Sequence, residues 1–166
     1  MIEMLYSKTV KYAVLALAEI ARRAPDGAVP TKVVAEEASV PYSLLAKILV
    51  RLKTDGLVAV LRGKNGGVRL ARPSDEITIR DVVVALDGPG VFSDCPLHLS
   101  ACACERECAF HPIWKPARDG VARFLETTTI QDVADAHEVL PPQETAPASS
   151  AFVAEGVGGP ERVDRA

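Results

Sequence analysis

Between Leu57 and Leu70 the hydrophobic pattern changes its period, and this change limits the possible folds more than any other feature of the chain. Upstream the pattern is helical. Val10, Ala13, Val14, Leu17 and Ala21 recur at helical spacing and predict an amphipathic helix over residues 7–23. Pro25-Asp26-Gly27 supplies turn chemistry, and Thr31 reads as the N-cap of a second helix with Val33, Val34 and Ala38 inward. A third helix is expected from Pro41, its inward stripe being Leu45, Ile48, Leu49 and Leu52, with Asp55-Gly56 closing it. Then Leu57–Leu61 is short and β-prone, Gly63-Lys64-Asn65-Gly66-Gly67 is a turn, and Val68-Arg69-Leu70 is a second short strand. Three helices followed by a hairpin is the plan of a winged helix-turn-helix: mainly α, with a small β-hairpin as the wing.

Beyond the hairpin, Thr78 and Asp81 have the spacing of a capping arrangement for a fourth helix through Val82, Val83 and Leu86, stopped by Gly88-Pro89-Gly90. Another helix is expected from near Pro112, with Ile113, Ala117, Val121, Phe124 and Leu125 along one side. Such a stripe either folds back on its own domain or packs on another chain. From about Pro141 the chain is rich in Pro, Gly, Ala, Ser and charge, the composition of a disordered tail. The expected organisation is a DNA-binding domain over 1–88, a cysteine-rich loop over 89–111, a long helix with a short following segment over 112–136, and a tail over 137–166.

Charge divides the chain. Residues 1–72 carry 12 lysines and arginines against 6 acidic residues, whereas residues 73–166 carry 7 against 16. A basic front half suits a polyanion. On the third helix Tyr42, Ser43, Lys47 and Arg51 are candidates to face DNA, and on the wing Arg62, Lys64 and Asn65 are. Lysine and arginine neutralise phosphates, which gives affinity without sequence preference, whereas Ser, Lys and Tyr near the start of a recognition helix reach base edges. Arg62 precedes the glycine turn, from which a side chain can enter a minor groove. No stretch is long and apolar enough to span a bilayer, and no signal peptide is legible, so a cytoplasmic protein is expected. No nucleophile motif or acid–base pair points to an enzyme.

All four cysteines, Cys95, Cys102, Cys104 and Cys108, lie in one short stretch that ends at His111. In a reducing compartment clustered thiols favour metal or redox chemistry over structural disulfides. Thiolates hold iron–sulfur clusters, and histidine can replace cysteine as a ligand. Three cysteines and a histidine, or four cysteines, also suit zinc, although the spacing is not a paired CxxC…CxxC. Cys102 and Cys104 are alternatively a pair for a thiol–disulfide switch without metal.

Tyr12-Ala13-Val14, Lys53-Thr54-Asp55-Gly56-Leu57-Val58, the wing segment from Arg62 to Pro73, and Ile77-Thr78-Ile79-Arg80-Asp81-Val82 resemble the Rrf-two family of bacterial winged-helix regulators, which includes iron–sulfur regulators and a nitric-oxide sensor. The resemblance covers roughly residues 4–134. It implies a homodimer joined through the long helix after the cysteine loop, and a palindromic double-stranded operator with one recognition helix per half-site. Cys102 and Cys108, followed by His111-Pro112-Ile113-Trp114, look like the end of the family's cluster motif, with Cys95 as the upstream cysteine. The resemblance therefore implies an iron–sulfur cluster of undetermined type, held by these three cysteines with His111 or Cys104 as the fourth ligand, in a transcription regulator that senses iron, redox state or nitric oxide. The chain departs from the family pattern in several places. Leu44 and Ala46 stand where cluster regulators carry Tyr and Glu on the recognition helix. Lys11 stands where some members supply an acidic ligand from the partner chain, and Cys104 is additional.

Overall fold

The computed structural model of this protein describes residues 6–23, 27–63, 66–89 and 111–139, with side chains up to residue 136. Among these residues the order is α1 (Lys8–Arg23), α2 (Thr31–Glu37), α3 (Tyr42–Thr54), β1 (Val58–Leu61), β2 (Gly67–Leu70), a 3-10 turn over Ser74–Glu76, α4 (Ile79–Asp87), α5 (His111–Thr127) and α6 (Ile130–Val139). β1 and β2 form an antiparallel pair that sets Val58 opposite Leu70 and Leu61 opposite Gly67. Three helices and a hairpin in this order are the winged helix-turn-helix expected from the change of period.

α1 is the axis of the core. It carries no break in its apolar face, and Val10, Ala13, Val14, Leu17 and Ile20 are all buried. It packs against α2, α3, α4, α6 and β2. Ser7 starts it, accepting from the Val10 amide at 3.3 Å. Ser7 is tied in turn to the end of α4, since its amide and hydroxyl donate to the Asp87 carboxylate at 2.8 and 2.7 Å. Glu19, buried on α1, accepts from Arg22 and Arg23, and Arg23 also reaches Glu37 of α2 at 2.6 Å. Hydrogen bonding to Glu19 raises the Arg23 guanidinium further above its ordinary value. A carboxylate this deep is tolerated because it is paired.

α2 and α3 begin differently from the sequence expectation. Thr31 is not an N-cap. It is the first residue of α2, and Pro30 holds the cap position without a side-chain bond. Pro41 does the same for α3. Both prolines sit at φ near −55° with ψ near 128°. Proline has φ fixed in this range and no amide to satisfy, so the chain enters each helix from a rigid corner. The capping pair of α4 is as expected: Asp81 N donates to Thr78 Oγ1 and Thr78 N donates to the Asp81 carboxylate, each at 3.1 Å.

The wing is fastened to the body. Val29, between α1 and α2, exchanges two hydrogen bonds with Val68 of β2, both 2.8 Å. This pairing requires glycine at position 67, where a Cβ would lie 2.3 Å from the Val29 carbonyl oxygen. Gly67 therefore serves the contact between the wing and the helices, a use that its place in a hairpin turn does not announce.

The short segment expected after the long helix is a helix in its own right. α6 returns to the DNA-binding unit, buries Ile130 and Ala134, and packs on α1. Its entry is clasped to that of α4: Ile79 N donates to Thr128 O at 2.9 Å and Ile130 N to Ile77 O at 2.8 Å. Thr129 and Asp132 form a second capping pair beside the first. The Thr129 amide and hydroxyl donate to the Asp132 carboxylate at 2.8 and 2.7 Å and hold its pKa below the ordinary carboxylate value. A depressed pKa gives stability that is fully present above the unfolded-state value, about 4, and is lost as pH falls toward the folded-state value. The Asp132→Asn variant is expected to melt below wild type at neutral pH, with the difference narrowing as the pH is taken down to about 3. Thermal melts across that range check it, and a constant difference would exclude the linkage.

α5 contrasts with the rest. Of its residues only Leu125 is buried, while Ile113 is 78% and Phe124 52% exposed. At 1.5 Å per residue it is about 25 Å long, and it meets the core through Val121 and Leu125. Lys115 pairs with Asp119 on its polar side and lowers that carboxyl below the ordinary range.

Candidate nucleic-acid interface

The outward face of α3 follows from its inward one. With Leu45, Ile48, Leu49 and Leu52 buried, the opposite ridge runs Ser43, Lys47, Val50, Thr54, at intervals of four, three and four residues. Tyr42, Ser43 and Lys47 are all exposed, as is Arg62 just after β1. Between α3 and the wing runs an open groove of about 550 Å³ lined by Thr31, Tyr42, Ala46, Val50, Lys53, Val60 and Arg62 among others. Lys53 and Arg62 bring positive charge to the two sides of this groove, on the helix and on the wing. A strand of phosphates can pass between helix and wing in such a channel. Lys53 was not among the residues expected to face DNA, yet it falls seven residues, about two turns, after Ala46, so the helical period places both on this side. Lys64 and Asn65 lie outside the described residues.

Arg51 is exposed as well, and its guanidinium is engaged by the protein itself. Its guanidinium Nη2 donates to the carbonyl oxygens of Leu86 and Ala85, at 2.6 and 3.2 Å. These are among the last carbonyls of α4, which have no partner within their own helix, and a cation there also complements the helix dipole. The recognition helix is thus tied to the end of α4, the same end that Asp87 ties to Ser7. Gly88 follows at φ +91°, and the cysteine-rich segment expected over 89–111 begins with the next residue.

Cys95, Cys102, Cys104 and Cys108 lie outside the described residues, and among those described no group of histidine, cysteine and carboxylate side chains is arranged to hold a metal. His111 is the first residue of α5 and half-buried. One turn on, the indole Nε1 of Trp114 is buried without an acceptor among the described residues. As a donor set, four thiols and an imidazole fit an iron–sulfur cluster, and Trp114, three residues after His111 in the chain, carries an N–H of the kind cluster sulfurs accept from.

A helical recognition element, a wing and a cationic groove between them define a winged-helix DNA-binding protein. The sequence profile of Rrf2, described as iron-dependent transcriptional regulator, matches residues 6–136. The chain belongs to the Rrf2 family, whose members are transcription regulators and not enzymes. It is 31% identical over 130 residues to the HTH-type transcriptional regulator IscR of Pectobacterium atrosepticum, an alignment covering 78% of this chain and 79% of that protein. Among solved structures it is similar to CymR, the global cysteine regulator of B. subtilis, with a TM-score of 0.68 at 28% identity, covering 78% of this chain and 95% of the other. The fold is also that of T. potens IscR, with a TM-score of 0.63 at 24% identity over 83% and 92% of the two chains. No described helix is long and apolar enough to cross a membrane.

Proposed function

We propose that this protein is a cytoplasmic, homodimeric repressor that binds a palindromic operator and senses iron, redox state or nitric oxide through an iron–sulfur cluster held by its cysteine segment. The observation that carries the reading is the bond from Arg51 to the end of α4. The cysteine segment starts where α4 ends and finishes where α5 begins, and Arg51 links that same end of α4 to the recognition helix. A change in the segment's shape is thereby felt by the element that meets DNA.

In this reading Cys95, Cys102 and Cys108 hold the cluster, with His111 first and Cys104 second as the remaining ligand. The cluster supplies a redox-active, nitric-oxide-reactive and iron-dependent group. The chain's own residues do the rest. Trp114, close to the segment in the chain, has a buried N–H to donate. Gly88 gives the backbone its turn into it, and Arg51 holds α3 to α4. Tyr42, Ser43, Lys47 and Lys53 of α3 and Arg62, Lys64 and Asn65 of the wing meet DNA. The exposed apolar side of α5, with Ile113 and Phe124, meets the same side of a second copy. Because two half-sites must fit about one helical turn apart, a small shift of the two recognition helices costs much affinity.

The similarity to CymR, named a cysteine regulator, favours a second reading in which the same fold responds through its thiols without a cluster. An absorption spectrum of protein purified without oxygen, with iron, sulfide and zinc analysis, separates the readings. The cluster reading expects broad visible absorption with matching iron and sulfide, and in Cys108→Ala a loss of both with DNA binding retained but unresponsive. Colourless protein with one zinc per chain supports a zinc site. Metal-free protein that cannot be reconstituted, yet whose DNA affinity changes on oxidation, supports the thiol reading.

A further inference from the structure

We infer that Val50 reads thymine in the major groove, packing its isopropyl group against the C5-methyl of the base. This rests on the DNA-binding role of α3 proposed above. Val50 is 66% exposed, more than any other large apolar side chain described before α5. It stands on the outward ridge three residues after Lys47, in a groove whose rim carries Lys53 and Arg62. A surface that meets only phosphates gains nothing from valine, which can neither pair a charge nor donate a hydrogen bond. Nor does the helix need it, since valine is a poorer helix former than alanine or lysine. Thr54, next along the ridge, turns its hydroxyl back onto the Val50 carbonyl at 3.1 Å, so Val50 remains a projecting group at this level of the helix. The edges of base pairs in the major groove present one apolar group, the thymine methyl, and an aliphatic side chain is its natural contact.

The test begins by selecting an operator from random duplex DNA with the full-length chain. Each thymine of one half-site is then replaced by deoxyuridine, which removes only the methyl group. Wild-type protein is expected to lose about fourfold in affinity at one such position, the worth of one buried methyl. Val50→Ala is expected to bind the thymine operator about fourfold more weakly and to bind the thymine and deoxyuridine forms alike, with an unchanged or higher melting temperature. Selective binding that is indifferent to every methyl overturns the inference and leaves the DNA-binding reading intact. So does methyl sensitivity that persists in Val50→Ala, which assigns the contact to another residue. If no sequence is enriched at all, both fall together.

Discussion

Replacing Ile130 with alanine is expected to destabilise the whole DNA-binding unit by about 3 kcal/mol, although the residue lies more than 50 positions beyond the wing in the chain. Ile130 is fully buried at the start of α6. The helix packs on α1, the element around which the other helices gather. Deleting three carbons there removes burial and leaves a cavity, and the site has little room to collapse: the Ile130 amide is held by the Ile77 carbonyl and the neighbouring residues by the paired caps. In urea the midpoint falls while the slope stays the same, because the same surface is exposed on unfolding. Measurements at one fixed protein concentration remove any contribution from self-association. A loss below about 1 kcal/mol would mean that α6 is not part of the cooperative unit.

Neutralising Lys53 and Arg62 together, as Lys53→Met and Arg62→Gln, is expected to weaken DNA binding by about ten- to a hundredfold near 0.1 M salt. The dependence of log affinity on log salt is expected to become shallower by about one for each phosphate that is no longer neutralised, so by about two for each chain bound. The two cations stand on opposite sides of one groove, one on α3 and one following β1. Affinity for DNA of unrelated sequence should fall as far as affinity for the operator, because phosphates carry no sequence information. Titrations over a range of salt concentrations check this. An unchanged slope would place the phosphate path elsewhere on the protein.

The parts of the fold that local pattern controls were legible in the sequence. Three apolar stripes at helical spacing, the shift to short β-prone runs after Gly56, and the Thr78–Asp81 pair are each contained within a few neighbouring residues. α6 was not legible as a helix because its apolar residues, Ile130, Val133 and Ala134, are few, and its stability comes from α1, far away in sequence. The Thr129–Asp132 spacing was the signal that would have found it. Thr31 has the chemistry of a cap, but Pro30 holds the cap position and Thr31 falls one residue inside the helix. For the site, helical period sufficed to place Ser43 and Lys47 outward. It did not show that the long side chain of Arg51 bends sideways to the α4 carbonyls, which depends on where α4 docks. The cysteine segment carries its message in composition, and that message concerns chemistry more than shape.

The two hydrogen bonds between Val29 and Val68, made possible by the bare backbone of Gly67, fix the wing to the helical body, so that in the proposed DNA-bound state the wing and α3 act as the set jaws of a gauge. A wing joined only by its own turn could adjust its reach to whatever duplex it met. Here the distance between jaws is built in, and the double helix must match it. Sequences whose grooves already have that width fit at once, and others must be deformed at an energetic cost. In the proposed DNA-bound state such a protein is expected to discriminate at base pairs that none of its side chains touch.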